Sequence, residues 1–90
     1  MNTANKIEIY TTKNCSFCKK AKLLLDKYEV FSEIDVEDEY KRKLMTKRSN
    51  GLLTVPQIFI NNKHIGGYDQ LKALDQNKGL IKLLKWIKKT

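Results

Sequence analysis

Cys15 and Cys18 are the only cysteines in this chain, and they sit together as Cys15-Ser16-Phe17-Cys18. A Cys-x-x-Cys pair between a strand-like run and a helix-like run is the sequence form of a thiol–disulfide redox centre. Residues three apart lie on the same side of a first helical turn. That spacing brings the Cα atoms within the range a disulfide needs. Such a pair opens and closes with little backbone movement.

The roles of the two thiols follow from position. Cys15 stands where a helix begins, and unpaired backbone N–H groups of Phe17 and Cys18 can point at its sulfur. The helix dipole adds partial positive charge at the same place. Both effects favour thiolate, the attacking species, so Cys15 is the expected nucleophile. Lys13, two residues earlier, adds charge. Cys18 lies one turn deeper and is the expected resolving thiol. A zinc site is the competing idea. With no second cysteine pair and His64 as the one histidine, a closed four-ligand site cannot be built within one chain.

The elements around the pair can be read from periodicity. Lys6 to Thr11 alternates polar and apolar residues, as a strand does. From Ser16 the period changes, with Phe17, Ala21, Leu24, Leu25 and Tyr28 at helical spacing and lysines on the other side. Val30 to Val36 returns to strand character. Glu37-Asp38-Glu39 suits a helix N-terminus, and that helix runs through Tyr40, Leu44 and Met45 to about Ser49, ended by Asn50-Gly51. Val55 to Ile60 is a third strand, joined through Asn61-Asn62-Lys63 to a short fourth strand at His64-Ile65. Gly66-Gly67 breaks the chain. Tyr68, Leu71 and Leu74 begin another helix, interrupted at Gly79 and resumed by Leu80, Leu83, Leu84 and Ile87. The order is β-α-β-α-β-β-α, the last helix in two pieces. Its first βαβ unit should be a right-handed parallel crossover, giving an α/β fold with a four-stranded mixed sheet flanked by helices.

Ninety residues make one small domain, residues 1–90. No apolar run approaches the roughly 18 residues of a membrane span. Met1 to Lys6 is polar, so no secretory leader is expected. Two close cysteines do not resemble the framework of a secreted disulfide scaffold, and the expected compartment is the cytosol. The 18 Lys and Arg against 10 Asp and Glu leave a net charge of +8. Such a surface is simply solvated, or it attracts anionic small molecules or acidic proteins. Nucleic-acid binding ranks below both, because the lysines are spread over several elements and no nucleic-acid module appears.

Several other positions have two readings. Pro56 either forms a cis peptide that turns the chain sharply or begins strand three, where proline is tolerated. Asp69 either contacts a ligand or caps a helix. The lysines are either ligand contacts or a solvated face. Tyr10, Tyr28, Phe31, Tyr40, Phe59 and Trp86 are treated as packing residues, and His64 as a hairpin residue.

Cys-x-x-Cys after strand one, Thr54-Val55-Pro56 before strand three and Gly66-Gly67-Tyr68-Asp69 after strand four stand in one order and spacing. Together they resemble the glutaredoxin family, in particular the small bacterial members, over nearly the whole chain. The resemblance implies a thioredoxin-like fold and a glutathione-dependent disulfide oxidoreductase with Cys15 and Cys18 as its catalytic pair. It implies a cis Val55–Pro56 bond facing the cysteines. It also implies a glutathione site: Thr54, Val55 and Pro56 for the cysteinyl part, Gly67, Tyr68 and Asp69 for the γ-glutamyl end, Lys13 and Lys43 for the glycyl carboxylate, with Phe17 flanking the tripeptide.

The expected partners are glutathione and disulfide-bearing or glutathionylated proteins. A monomer is expected, with no membrane and no nucleic acid among its partners. One departure is Ser16-Phe17, where classical dithiol glutaredoxins carry Pro-Tyr. It leaves open an iron–sulfur cluster carrier, a dimer bridged through each Cys15 and two glutathiones. A thioredoxin-like electron donor recharged by a flavoprotein reductase is the other alternative.

Overall fold

The structure, a computed structural model, describes residues 5–84. Its elements run β1 (Ile7–Thr11), α1 (Ser16–Asp26), β2 (Ser32–Asp35), α2 (Glu39–Arg48), β3 (Gln57–Ile60), β4 (Lys63–Gly66), α3 (Tyr68–Gln76) and α4 (Gly79–Leu84). The strands form one sheet in the order β2-β1-β3-β4. β1 and β2 are parallel, with Tyr10 opposite Ile34. β3 runs antiparallel to β1, with Ile9 opposite Ile58. β4 is antiparallel to β3, with a register shift between Ile58 and Phe59. This is the α/β fold with a four-stranded mixed sheet expected from the element order.

Strand periodicity decides which helix covers which face. Ile7 and Ile9 of β1 and Ile58 and Ile60 of β3 share one face, packed against Ala21, Leu24 and Leu25 of α1, Leu71 of α3 and Leu80 and Leu84 of α4. The alternate residues Tyr10 and Phe59 face the other way and pack with Val36 and with Met45 of α2. Burying each such leucine or isoleucine contributes about 1.5–3 kcal/mol. The second face also holds a polar cluster. Arg48 at the end of α2 donates to both carboxylate oxygens of Glu8, at 3.2 and 3.0 Å, and to the Tyr10 hydroxyl at 2.8 Å. Its guanidinium lies 4.0 Å from the centroid of the Phe59 ring.

The turns follow their residue types. Asn61 and Asn62 both take positive φ, as a tight two-residue hairpin demands, and Lys63 already belongs to β4. Asn50 and Gly51 take positive φ after α2. Three expectations change. The break in the last helix falls at Asn77-Lys78, where Lys78 has positive φ, and Gly79 starts α4. Val55 and Pro56 precede β3 and do not join its ladder. Tyr40 is an exposed residue, not a packing residue, at 68% exposure. Met45 is the buried residue of α2, and a position five residues earlier lies about 140° round the helix from it. The apolar stripe at Ile87 and the packing role of Trp86 lie outside the described residues.

Candidate active site

The site begins at the turn from β1 into α1. Cys15 has extended backbone angles (φ −123°, ψ 107°) and is the N-cap of α1. A cap residue normally offers an oxygen to the first free N–H groups. Here a sulfur does so: the Cys18 N–H donates to Cys15 Sγ at 3.0 Å. Of the two N–H groups expected to reach this sulfur, the one that does is that of Cys18. The two sulfurs are joined as a disulfide, with Cα atoms 5.2 Å apart. Cys15 is partly exposed, whereas Cys18 is buried at 1% exposure. An attacker from solvent therefore meets Cys15 first.

A second loop faces the pair. The Val55–Pro56 peptide bond is cis. The Val55 carbonyl oxygen lies 3.9 Å from Cys15 Sγ. Pro56 is buried, Val55 partly so, and Thr54 exposed. The reading of Pro56 as the first residue of strand three is thus set aside.

The third segment is the start of α3. Gly66 has φ +118°, a conformation side chains rarely take, and a Cβ there would meet the Gln70 side chain at 3.0 Å. Gly67 caps α3, so the cap is not Asp69, which is exposed in the first turn. A Cβ on Gly67 would stand 3.4 Å from the Pro56 carbonyl oxygen, so the two loops approach closely. The N–H groups of Tyr68 and Asp69 open the helix and lie outside its own ladder, which suits an anion.

The three segments enclose a groove of about 150 Å³ lined by Phe17, Thr54, Val55, Pro56, Gly67, Tyr68, Asp69 and Gln70. The rings of Phe17 and Tyr68 lie 6.0 Å apart, and the Lys20 ammonium lies 5.3 Å from the Phe17 centroid. The groove shares Val55 with the surroundings of the Cys15 sulfur, and Phe17 and Tyr68 give it aromatic walls. Lys13, in the turn before α1, and Lys43, on α2, are exposed and are not part of its wall.

Gln70 was not among the residues singled out from the sequence. Its side-chain oxygen accepts from the Gly67 N–H at 2.8 Å. The signal was present: Gln70 is three residues past the cap, the position from which a Gln side chain reaches back.

Among the described residues no group of three or more His, Cys, Asp or Glu could hold a metal ion. Among the described residues Cys15 carries the one sulfur that is not buried. No helix of the described residues is long and apolar enough to cross a membrane.

A mixed four-stranded sheet, a Cys-x-x-Cys pair opening the first helix and a cis-proline turn against it define a thiol–disulfide oxidoreductase of the thioredoxin-like fold. Comparison with known proteins narrows the class. The glutaredoxin family model matches residues 7–65. Glutaredoxin 3 of Escherichia coli K12 is 51% identical over 81 residues, spanning 88% of this chain and 96% of that protein. The solution structure of glutaredoxin from Brucella melitensis superposes with a TM-score of 0.76 at 43% identity, covering 89% of this chain and 88% of that one. The fold is shared as well with a buckwheat glutaredoxin–glutathione complex, at TM-score 0.80 and 24% identity over 90% of this chain and 77% of that one. The chain belongs to the glutaredoxin family.

Proposed function

We propose that this protein is a glutathione-dependent oxidoreductase that reduces protein–glutathione mixed disulfides and protein disulfides through Cys15 and Cys18. The observation that carries the reading is the groove beside the Cys15 sulfur, bounded by the Thr54-Val55-Pro56 turn and the start of α3. An extended tripeptide fits it as an added strand does, its cysteinyl backbone against the N–H and C=O of Val55. Its γ-glutamyl carboxylate lies against the N–H groups of Tyr68 and Asp69, and its amino group against the Asp69 carboxylate. Phe17 flanks the peptide, and Lys13 and Lys43 draw the glycyl carboxylate from outside the wall. The buckwheat relative, of the same fold, is a glutathione complex.

The chemistry is disulfide exchange. Cys15 thiolate attacks the glutathione sulfur of a mixed disulfide, forms a Cys15–glutathione disulfide and expels the protein thiolate, which takes up a proton. A second glutathione thiolate attacks the adduct, leaving oxidised glutathione and regenerating Cys15 thiolate. On a protein disulfide, Cys15 forms a mixed disulfide with the protein, and Cys18 thiolate then attacks the Cys15 sulfur. The protein leaves reduced and the Cys15–Cys18 disulfide remains, to be reduced by two glutathione thiols. Cys18 stands within disulfide reach of Cys15, their Cα atoms 5.2 Å apart, as this dithiol route needs. The protein works as a monomer of one domain in the cytoplasm, with no nucleic-acid or membrane partner.

The test compares electron donors on a glutathionylated peptide. Rapid turnover with glutathione and glutathione reductase, and slow turnover with a thioredoxin reductase alone, is the expected result. The reverse preference would make the protein a thioredoxin-like donor.

A further inference from the structure

Gln57 is a buried polar side chain at 2% exposure, on the sheet face away from α1. Its amide nitrogen donates to the Thr54 carbonyl oxygen at 3.1 Å and to the Thr54 hydroxyl at 3.2 Å. Its amide oxygen meets His64 Nε2 at 2.7 Å. The Thr54 carbonyl can only accept, so the amide nitrogen must face Thr54 and the amide oxygen must face His64. His64 Nε2 is therefore the protonated ring nitrogen and donates to Gln57. His64 is itself held: its ring stacks on Phe59 with centroids 4.9 Å apart. The Arg48 guanidinium lies 4.0 Å from the centroid of the same Phe59 ring.

From this chain of contacts we infer that Gln57 is a positioning residue for the exchange reaction. It pins the Thr54-Val55-Pro56 turn so that the Val55 backbone stands ready for an extended substrate, and the hydrogen bond from His64 Nε2 helps hold its amide in that direction. Thr54 is exposed and the turn lies outside the sheet ladder. Without the Gln57 amide, the Thr54 carbonyl and the Thr54 hydroxyl each lose one contact from a rigid buried group, and the turn samples other geometries. Each substrate then bears the ordering cost at binding. Gln57 is not in the groove wall, and the Cys18 N–H that donates to Cys15 Sγ belongs to α1 and not to this turn, so that hydrogen bond stays in place.

The inference deepens the proposed glutathione reading, and the test keeps the two separable. Gln57→Glu preserves size and keeps an oxygen toward His64 while turning the donor to Thr54 into an acceptor. His64→Phe keeps the stack on Phe59 and frees the Gln57 amide to rotate. For Gln57→Glu the expected result is a KM for a glutathionylated peptide raised about five- to tenfold, with kcat changed less than about twofold. The alkylation rate of Cys15 in the reduced protein stays level with the wild type. Backbone ¹⁵N relaxation shows lower order at Thr54 and Val55. His64→Phe moves KM and order in the same direction by less.

An unchanged KM in a folded Gln57→Glu protein overturns the inference. A parallel fall in kcat and alkylation also does, because it marks general disruption. If Gln57→Glu does not fold, an unchanged KM in His64→Phe overturns it. If the wild type leaves the glutathionylated peptide untouched, the glutathione reading fails. Relaxation then decides alone, and wild-type order at Thr54 and Val55 in either variant overturns the pinning role.

Discussion

The sulfur of Cys15 and the carbonyl oxygen of Val55 stand 3.9 Å apart although 40 residues separate them in the chain. This proximity joins the redox pair to the turn that would bind substrate. It arises because β1 and β3 are antiparallel neighbours, so the end of β1 that leads to Cys15 lies beside the start of β3 that follows Pro56. Two unremarkable loops thereby form one reaction centre.

The two cysteines are expected to separate by function. Cys15→Ser removes the exposed nucleophile and should reduce glutathione-coupled turnover to background on every substrate. Cys18→Ser removes only the buried partner. It should keep deglutathionylation, which needs one thiol, and lose reduction of protein disulfides that must be resolved internally. Steady-state rates on a glutathionylated peptide and on a disulfide-bonded protein check both.

Arg48 is expected to matter for stability and not for exchange. Its bidentate contact with Glu8 is mostly shielded, with side-chain exposures of 29% and 14%. Arg48→Leu leaves the Glu8 carboxylate half-buried without its partner and should cost roughly 1–3 kcal/mol in urea unfolding. The double variant with Glu8→Gln should recover part of that loss. Equal stability of Arg48→Leu and wild type would contradict this.

Acid should weaken the link between α1 and the edge of the sheet. The Lys22 ammonium, at 2.9 Å, and then the Thr11 hydroxyl, at 2.7 Å, hydrogen-bond to Glu33 and hold its carboxyl below its ordinary value of 4.5. A carboxyl lowered in the folded state contributes stability that is present above the unfolded value and lost as pH falls through the folded one. The urea midpoint should therefore decline below about pH 4.5. Glu33→Gln should flatten that part of the decline.

Alkali acts on a different contact. The Tyr28 hydroxyl donates to the Asp75 carboxylate, tying the turn after α1 to α3. Burial, then the Asp75 hydrogen bond and charge, push Tyr28 up from 10.0 to about 12. The folded state holds this proton more tightly than the unfolded one. Its contribution is complete below pH 10 and is lost as pH rises through about 12. Tyr28→Phe should cost about 1 kcal/mol near neutrality and lose less of its remaining stability between pH 10 and 12.

The fold was legible because its signals are local. Ile7 and Ile9 alternate with Glu8 and Tyr10, the α1 stripe has helical period, and Asn61-Asn62 marks a hairpin. The Cys-x-x-Cys pair identified the chemistry for the same reason: its spacing alone sets the disulfide geometry. What the sequence left open depends on contacts between distant segments. Pro56 had two readings until the sheet order set its turn against Cys15. Tyr40 was misplaced because α2 buries one residue, Met45, and a helix with so little apolar surface carries a weak phase signal. Lys13 and Lys43 are implied by the family resemblance, yet both are exposed and outside the groove wall, because charge gives no direction to a flexible side chain. Gln57 and Gln70 went unremarked, since a glutamine shows its role only through what its amide reaches.

The most direct measurement treats the reduced protein briefly with oxidised glutathione and maps the adduct by mass spectrometry. The account predicts a glutathione disulfide first on Cys15, accumulating in Cys18→Ser and giving way to the Cys15–Cys18 disulfide in the wild type. Adduct forming first on Cys18, or none at either sulfur, would contradict it.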